Sequence, residues 1–134
     1  MVKALHLNAD QLKALAAAAT AQACKACAPL VCPGWESMPA TFDRTQLAQV
    51  GTLVDEKIED PTVLEHHPGG TNAWSADAPI ALAFFPYNRC GVWQCVSCAR
   101  LFLRYTEYGG YYVDERIRAL DPELIDDTQF PTAN

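Results

Sequence analysis

The sequence predicts an α+β fold, in which N-terminal helices pack on a small, mostly antiparallel sheet that ends in a β-hairpin. Two patterns carry this prediction: an alanine-rich segment with a helix-capping signal near the N terminus, and two alternating segments joined by Gly109-Gly110. The chain has 134 residues, of which 50% are hydrophobic and 19% are charged, so it can form one domain with a core and is unlike a disordered chain. No apolar run reaches the roughly 18 residues that a transmembrane helix needs.

A long first helix is predicted over residues 8–28. Its first residue, an asparagine, is a favourable N-cap, Gln11 completes a capping box, and Leu7 can pack against Leu12 as a hydrophobic staple. Alanines then propagate the helix until Pro29 ends it. The same alanines resemble a signal peptide, but the polar residues among them favour a helix and therefore a cytoplasmic protein with reduced thiols.

A second, shorter helix and three strands are predicted in the middle of the chain. Asp43 is a favourable N-cap for the helix, with Gln46 three positions later. Residues 51–54 and 62–66 have the extended or alternating character that is typical of strands. The continuous apolar run at residues 80–85 predicts the central strand, because a strand that is covered on both faces needs no polar side.

The clearest element is a β-hairpin near the C terminus. Residues 92–94 predict a short strand, and residues 100–108 and 111–118 predict the two long strands on either side of Gly109-Gly110. A two-residue turn would set the register of opposing residues, giving the pairs Tyr108–Tyr111, Thr106–Val113, Arg104–Glu115 and Phe102–Ile117.

The whole chain, residues 1–134, is predicted to form a single domain, because no linker or internal repeat divides it. Residues 1–60 would form its helical N-terminal part and residues 61–120 its β-rich part. Residues 121–134 carry acidic residues and prolines and predict a tail on the surface.

Six cysteines carry the strongest chemical signal in the sequence. They form two groups, which are Cys24-x2-Cys27-x4-Cys32 and Cys90-x4-Cys95-x2-Cys98. In a reducing compartment, paired C-x-x-C motifs indicate a metal site, because this spacing lets two thiolates approach one ion from a tight turn. Zinc is the predicted metal.

The segment around the second motif resembles a zinc ribbon. Residues 93–102 read WQCVSCARLF, which matches the ribbon's usual C-x-x-C followed by a small, a basic and an aromatic residue. Ala99 stands where the ribbon usually has glycine. The resemblance covers residues 90–118 and implies a bound zinc ion and a local hairpin, but no particular biological role.

A structural zinc site needs four ligands, and the sequence leaves two sets open. The favoured set takes a third thiol and an imidazole from nearby segments and consists of Cys90, Cys95, Cys98 and His67. The alternative set takes its second pair from the end of the predicted helix and consists of Cys24, Cys27, Cys95 and Cys98. Cys32 could join either set.

The function predicted from these residues is that of a small non-enzymatic zinc-binding protein, an adaptor or accessory subunit that binds another protein. An enzyme is disfavoured because the sequence lacks both the H-E-x-x-H motif and the zinc deaminase signature. Two alternatives stay open: an acidic inhibitor or immunity-type protein that binds a basic partner, and a zinc-dependent enzyme that uses His66 or His67 with Glu65.

The net charge of −6 is unevenly distributed. Residues 1–88 carry five basic and nine acidic residues, residues 89–118 carry five and three, and residues 119–134 carry none and four. The basic and aromatic side chains that could contact nucleic acid are Arg89, Arg100, Arg104, Arg116 and Arg118 with Phe102, Tyr108, Tyr111 and Tyr112. The overall negative charge disfavours nucleic acid and favours a protein partner with a basic face, and no membrane contact is predicted.

Overall fold

The computed structural model describes residues 5–18, 24–30, 34–72 and 74–129, and in these residues a five-stranded sheet is combined with one α-helix. The strands in chain order are β1 (Glu36–Ser37), β2 (Leu47–Thr52), β3 (Ile80–Ala81), β4 (Gly91–Cys95), β5 (Leu101–Tyr108), β6 (Val113–Ala119) and β7 (Ile125–Asp126). The large sheet has the order β1-β6-β5-β4-β2, and every neighbouring pair in it is antiparallel. The predicted combination of helix and mostly antiparallel sheet is confirmed.

The first helix, α1, spans Ala9–Ala17 and begins as the sequence predicts. Asn8 Oδ1 accepts a hydrogen bond from the backbone N–H of Gln11 at 2.8 Å, and Gln11 Oε1 accepts one from the N–H of Asn8 at 2.9 Å. This reciprocal pair is the predicted capping box. Leu12 is the only residue of α1 that is buried.

The helix is shorter than the predicted residues 8–28. Residues 19–23 lie outside the described residues, and residues 24–30 form turns, the last of which is a 3-10 turn at Ala28–Leu30. Alanine favours helix formation but provides little apolar surface for packing, so alanine content alone does not predict how far a helix continues.

The second predicted helix is a single 3-10 turn, Arg44–Gln46. Asp43 caps it as predicted, because its carboxylate accepts a hydrogen bond from the N–H of Thr45 at 3.0 Å. The turn cannot extend into a helix, since Leu47 already pairs with Cys95 as the first residue of β2. The described residues therefore contain one α-helix, where the sequence predicts more than one.

The strands predicted in the middle of the chain are only partly present. Residues 51–54 overlap β2 by two residues, and residues 62–66 have no regular structure. The prediction of a central strand over residues 80–85 is wrong: only β3 is extended, and it pairs in parallel with β7 in a separate two-stranded sheet. After β3 the chain turns, with the N–H of Phe84 donating to the carbonyl of Ala81 at 3.0 Å. A continuous apolar run shows burial, but it does not distinguish a strand from a buried turn.

The hairpin of β5 and β6 is present, but its register differs from the predicted one by two residues. Tyr108 lies opposite Val113 instead of Tyr111, because the connection has four residues, Gly109 to Tyr112, and the N–H of Gly109 donates to the carbonyl of Tyr112 at 2.9 Å. A shift of two residues keeps every side chain on its predicted face of the sheet. The predicted Arg104–Glu115 ion pair therefore survives as a diagonal contact of 3.2 Å.

The large sheet separates two clusters of buried side chains. The first cluster contains residues from α1, β3 and the large sheet, including Leu12, Ile80, Val92, Leu101 and Leu103. The second cluster lies on the opposite face of β4 and β5 and contains Cys27, Leu30, Met38, Leu47, Cys95, Phe102 and Ile117. Alternate residues of one strand enter different clusters, as the two-residue period of a strand requires. The segment 24–30 thus packs on the face of the sheet that carries the second cluster.

The C-terminal segment contributes to the fold as far as β7. Asp121 caps a 3-10 turn at Pro122–Leu124, and Ile125 is buried in the first cluster. Residues 130–134 of the predicted acidic tail lie outside the described residues. No helix in the described part of the chain is long and apolar enough to cross a membrane.

Candidate metal centre

Four thiols from two distant parts of the chain converge at the edge of the second cluster. They belong to Cys24, Cys27, Cys95 and Cys98, and all four sulfur atoms lie within 4.8 Å of one another. The shorter distances are 3.6 Å between Cys24 and Cys95, 3.5 Å between Cys27 and Cys98, and 3.7 Å between Cys24 and Cys27. All four cysteines are free thiols, so this group could hold a metal ion.

The second C-x-x-C motif forms the turn between β4 and β5. The carbonyl of Cys95 accepts a hydrogen bond from the N–H of Ala99 at 2.9 Å, and the N–H of Cys95 donates to the carbonyl of Arg100 at 2.9 Å. Ala99 has φ = 69°, and it is the only residue other than glycine with a positive φ among the described residues. Ala99 thus occupies the conformation for which glycine is usual in a zinc ribbon, at the position where the sequence resembles one.

The first C-x-x-C motif has the same backbone hydrogen bond. The N–H of Ala28 donates to the carbonyl of Cys24 at 3.0 Å, which matches the bond from Ala99 to Cys95. Leu30 follows in a 3-10 turn, is fully buried, and anchors this segment in the second cluster. Each motif is therefore a tight turn that presents two thiols to the same point.

Gln46, the last residue of the 3-10 turn before β2, supports the second motif. Its carbonyl accepts from the N–H of Val96 at 2.9 Å, and its Nε2 donates to Ser97 Oγ at 2.8 Å and to Cys95 Sγ at 3.5 Å. Sequence reasoning identifies Gln46 only as a helix-capping residue. Its contact with the cysteines arises from the pairing of β2 with β4, in which Leu47 lies opposite Cys95, and no local signal reports that pairing.

The surroundings of Cys95 lower the pKa of its thiol, whereas those of Cys27 raise it. Burial raises the pKa of Cys95, but hydrogen bonds from Gln46, from the N–H groups of Cys98 and Ser97, and from Cys24 outweigh it and lower the pKa to about 6. Burial and the hydrogen bond with Cys98 raise the pKa of Cys27 to about 12. Four thiolates this close would repel one another strongly, so a cation at their centre is what would let all four ionise.

The other predicted ligands lie elsewhere. Cys90 is fully buried in the first cluster, where its thiol donates to the carbonyl of Pro86 at 3.4 Å. His67 lies immediately before the 3-10 turn Pro68–Gly70, and its Nε2 lies 2.9 Å from Glu65 Oε1. Neither belongs to a group of converging metal-ligand atoms in the described part of the chain. Cys32 lies outside the described residues.

His66 and several hairpin arginines are engaged within the protein. His66 stacks on Phe84, with ring centroids 4.8 Å apart, and its Nε2 lies 3.4 Å from Asp126 Oδ2. Arg104 lies over the ring of Trp93 at 4.6 Å. The guanidinium of Arg116 lies 4.5 Å from the ring centroid of Trp74, and that of Arg118 donates to the carbonyl of Ala78 at 2.8 Å.

No known protein family, curated protein or solved structure matches this chain. The arrangement of the four cysteines is compatible with a zinc-binding site.

Proposed function

We propose that Cys24, Cys27, Cys95 and Cys98 hold one structural zinc ion and that the protein is a non-enzymatic, zinc-stabilised interaction protein. The convergence of the four thiols carries the proposal. Zinc bound tetrahedrally by thiolates at about 2.3 Å has sulfur atoms about 3.8 Å apart. The three distances between 3.5 and 3.7 Å are close to this value.

The composition of the site favours a structural role for the ion. A catalytic zinc site has three protein ligands and leaves the fourth position to water, whereas a set of four thiolates is closed. Cys27 and Cys95 are buried, and in the described residues no histidine or carboxylate joins the group. The zinc-dependent enzyme that uses His66 or His67 is for this reason the less favoured alternative.

An ion at this position would join two parts of the fold that the chain does not connect locally. Cys24 and Cys95 are 71 residues apart, and their segments meet at the edge of the smaller core cluster. Among the described residues this cluster has seven buried side chains, two of which are the proposed ligands Cys27 and Cys95. Zinc would therefore add a cross-link to the smaller of the two clusters.

The proposed interaction role rests on the net charge and on the closed four-thiolate site, which leaves the ion no position for catalysis. A net charge of −6 favours a protein partner with a basic face, as in an adaptor or accessory subunit. The acidic inhibitor or immunity-type protein is the second candidate and uses the same charge. It differs in requiring a tight complex with one basic partner, which dissociates as the salt concentration rises.

Metal analysis of the protein purified without chelator tests the proposal. We expect about one zinc per chain, which Cys95→Ser and Cys24→Ser both abolish. Cys90→Ser is the matched control, because it changes a buried cysteine outside the group, and it should retain the zinc. Protein that contains no metal would overturn the proposal. Bound iron with visible thiolate absorption would show that the metal is not zinc. Loss of metal in Cys90→Ser but not in Cys24→Ser would show that the ligands are Cys90, Cys95, Cys98 and His67.

A further inference from the structure

The four thiols of the candidate metal centre differ in how far solvent reaches them. Cys27 and Cys95 are buried, with 0% and 1% of their surface exposed, whereas Cys24 and Cys98 are half-buried. A zinc ion bound here would hold all four sulfur atoms as thiolates, which is the nucleophilic form of cysteine. An oxidant that approaches from solvent therefore meets the sulfur of Cys24 or Cys98 first.

Each half-buried thiol lies beside a buried thiol of the other motif. The two sulfur atoms are 3.6 Å apart in the pair Cys24–Cys95 and 3.5 Å apart in the pair Cys27–Cys98. The sulfur atoms of a disulfide are about 2.05 Å apart, so either pair closes with a movement of about 1.5 Å.

The distance between Cys24 and Cys27, inside the first motif, is 3.7 Å. The shortest of the three distances belongs to Cys98, and once Cys98 is joined to Cys27, Cys24 is left beside Cys95. The geometry thus favours two disulfides between the motifs over one disulfide inside each motif.

The pairing decides what oxidation does to the fold. A disulfide inside a C-x-x-C motif closes a loop of four residues and leaves the segment 24–30 attached to the sheet by packing alone. A disulfide between the motifs joins residues that are 71 positions apart and holds together the same two turns that the ion would hold. Closing the longer loop restricts the unfolded chain more, so it stabilises the folded state more.

We propose that hydrogen peroxide releases the zinc ion while the fold is kept, because the four ligands become two disulfides that join the motifs, Cys24–Cys95 and Cys27–Cys98. The release rests on the zinc site proposed above and adds an oxidation-dependent loss of metal to it. Cys24 and Cys98 are the residues that peroxide modifies, and Cys27 and Cys95 are the residues that complete the disulfides.

The chemistry at each pair has two steps. The sulfur of the half-buried cysteine attacks the O–O bond of peroxide, loses two electrons and becomes a sulfenic acid, and the hydroxide that leaves takes up a proton to form water. The buried thiolate of the other motif then attacks this sulfur and displaces its hydroxyl group as a second hydroxide, which is protonated in turn. For the whole site, two peroxide molecules and four protons give two disulfides, four water molecules and one free Zn²⁺.

Titration of the zinc-loaded full chain with hydrogen peroxide, followed with a chromogenic zinc indicator against a sample without peroxide, measures the release. We expect about two peroxide molecules to be consumed for each zinc ion released. Cys90→Ser is the matched control and should release the same amount, because Cys90 lies in the other core cluster. Zinc that stays bound at about a hundredfold molar excess of peroxide would overturn the proposal. Protein that contains no zinc from the start would contradict the zinc site itself, and the release with it.

Tryptic digestion of the oxidised protein, after its free thiols are alkylated, identifies the pairing, because cleavage after Lys25 separates Cys24 from Cys27. Disulfides between the motifs join three peptides into one species that reduction splits, namely residues 14–25, 26–44 and 90–100. Disulfides inside the motifs leave peptide 90–100 separate from the other two, and this pattern would overturn the proposal. Cys32→Ser should give the same joined species, and its absence in that variant would overturn the proposal as well, since Cys32 shares a peptide with Cys27.

Thermal denaturation shows whether the fold is kept. The oxidised protein without zinc should have a Tm at least about 5 °C above that of reduced protein from which a chelator has removed the zinc, because the disulfides between the motifs restrict the unfolded chain. Reduction of the oxidised sample in the presence of chelator should lower its Tm to that of the reduced, zinc-free protein. An oxidised protein that is no more stable than the reduced, zinc-free protein would overturn the proposal.

Discussion

The Sγ atom of Cys27 lies 3.5 Å from the Sγ atom of Cys98, although 71 residues separate the two cysteines along the chain. The contact joins the turn at residues 24–30 to the turn between β4 and β5. Each turn is held by a backbone hydrogen bond around its own C-x-x-C motif, so each pair of thiols is oriented by its own turn. The site is thus assembled from two local units, and its formation depends on the docking of one unit on the other.

Removal of the metal should lower the stability of the whole domain. Structural zinc contributes about 10 kcal/mol or more in small zinc domains. This chain also has a sheet and a larger core, so we expect chelation to cost on the order of 4 kcal/mol and to lower the Tm by about 15 °C in thermal denaturation monitored by circular dichroism.

Two variants control this measurement. Cys27→Ser should have a low Tm that chelator does not change further, whereas Cys90→Ser should respond to chelator as the unmodified protein does. A chelator that removes the metal and leaves the Tm of the unmodified protein in place contradicts a structural role.

Replacement of Ala99 by glycine should stabilise the protein. Ala99 has φ = 69°, a conformation that costs a residue with a Cβ about 1 to 2 kcal/mol. Glycine avoids this cost, but its greater freedom in the unfolded chain offsets the gain by less than about 1 kcal/mol. We expect Ala99→Gly to raise the free energy of unfolding by about 0.5 to 1 kcal/mol in urea titration. Ala28→Gly is the matched control, because Ala28 makes the equivalent hydrogen bond without a positive φ, and it should destabilise the protein. Equal effects of the two substitutions would rule out relief of strain at Ala99.

The parts of the fold that were predictable from the sequence are those set by local patterns. Asn8 and Gln11 specify a capping box from side-chain chemistry alone, and the alternation of residues 101–108 specifies a strand. The register of the hairpin was not predictable from Gly109-Gly110. The connection also includes Tyr111 and Tyr112, whose place in the loop depends on how Val113 pairs with Tyr108.

The sequence predicts two candidate ligand sets, and which cysteines actually lie close together depends on long-range packing. Cys24 is part of a C-x-x-C motif and Cys90 lies five residues before one, so spacing alone does not show which of them joins Cys95 and Cys98. The face of the sheet on which each cysteine lies decides this. Cys90 precedes β4 and enters the first cluster, whereas Cys95 at the end of β4 enters the second, where Leu30 also places Cys27. These positions follow from strand register, which is set by contacts between distant segments.

Arg118 should be among the most sensitive positions outside the metal site. It is 1% exposed and donates to the hydroxyl of Tyr87 and to the carbonyls of Ala78 and Ala76, the last two at 2.8 and 3.3 Å. Arg118→Leu removes the donor to the buried carbonyl of Ala78 and two further hydrogen bonds, while Tyr87 Oη still accepts from Trp35 Nε1 at 3.3 Å. We therefore expect a loss of about 2 to 3 kcal/mol in the free energy of unfolding by urea titration. Arg116→Leu, two residues earlier on β6, is the control. Arg116 contacts the exposed ring of Trp74 and pairs with Asp114 at 3.4 Å, and its loss should cost about 1 kcal/mol. A cost for Arg118→Leu no greater than that of the control would contradict this role.

Glu115 should make stability dependent on pH in the acidic range. Burial raises the pKa of Glu115, but the hydrogen bond from Arg44 at 2.8 Å and the charge of Arg104 outweigh it and hold the pKa below its ordinary value of 4.5. The folded state therefore binds the proton less readily than the unfolded state. The contribution of Glu115 is complete above pH 4.5 and is lost as the pH falls through the lower pKa of the folded protein.

The effect is small because the Glu115 side chain is 33% exposed, and we expect less than about 1 kcal/mol. Urea titrations of the unmodified protein and of Glu115→Gln at pH 7 and at pH 3.5 measure it. The substitution should destabilise the protein at pH 7 and have a smaller effect at pH 3.5, where the carboxylate of the unfolded chain is already protonated. Glu123→Gln, at an exposed glutamate in the turn before β7, should show no such difference. A cost of Glu115→Gln that is the same at both pH values would show that the side chain acts through packing and not through its charge.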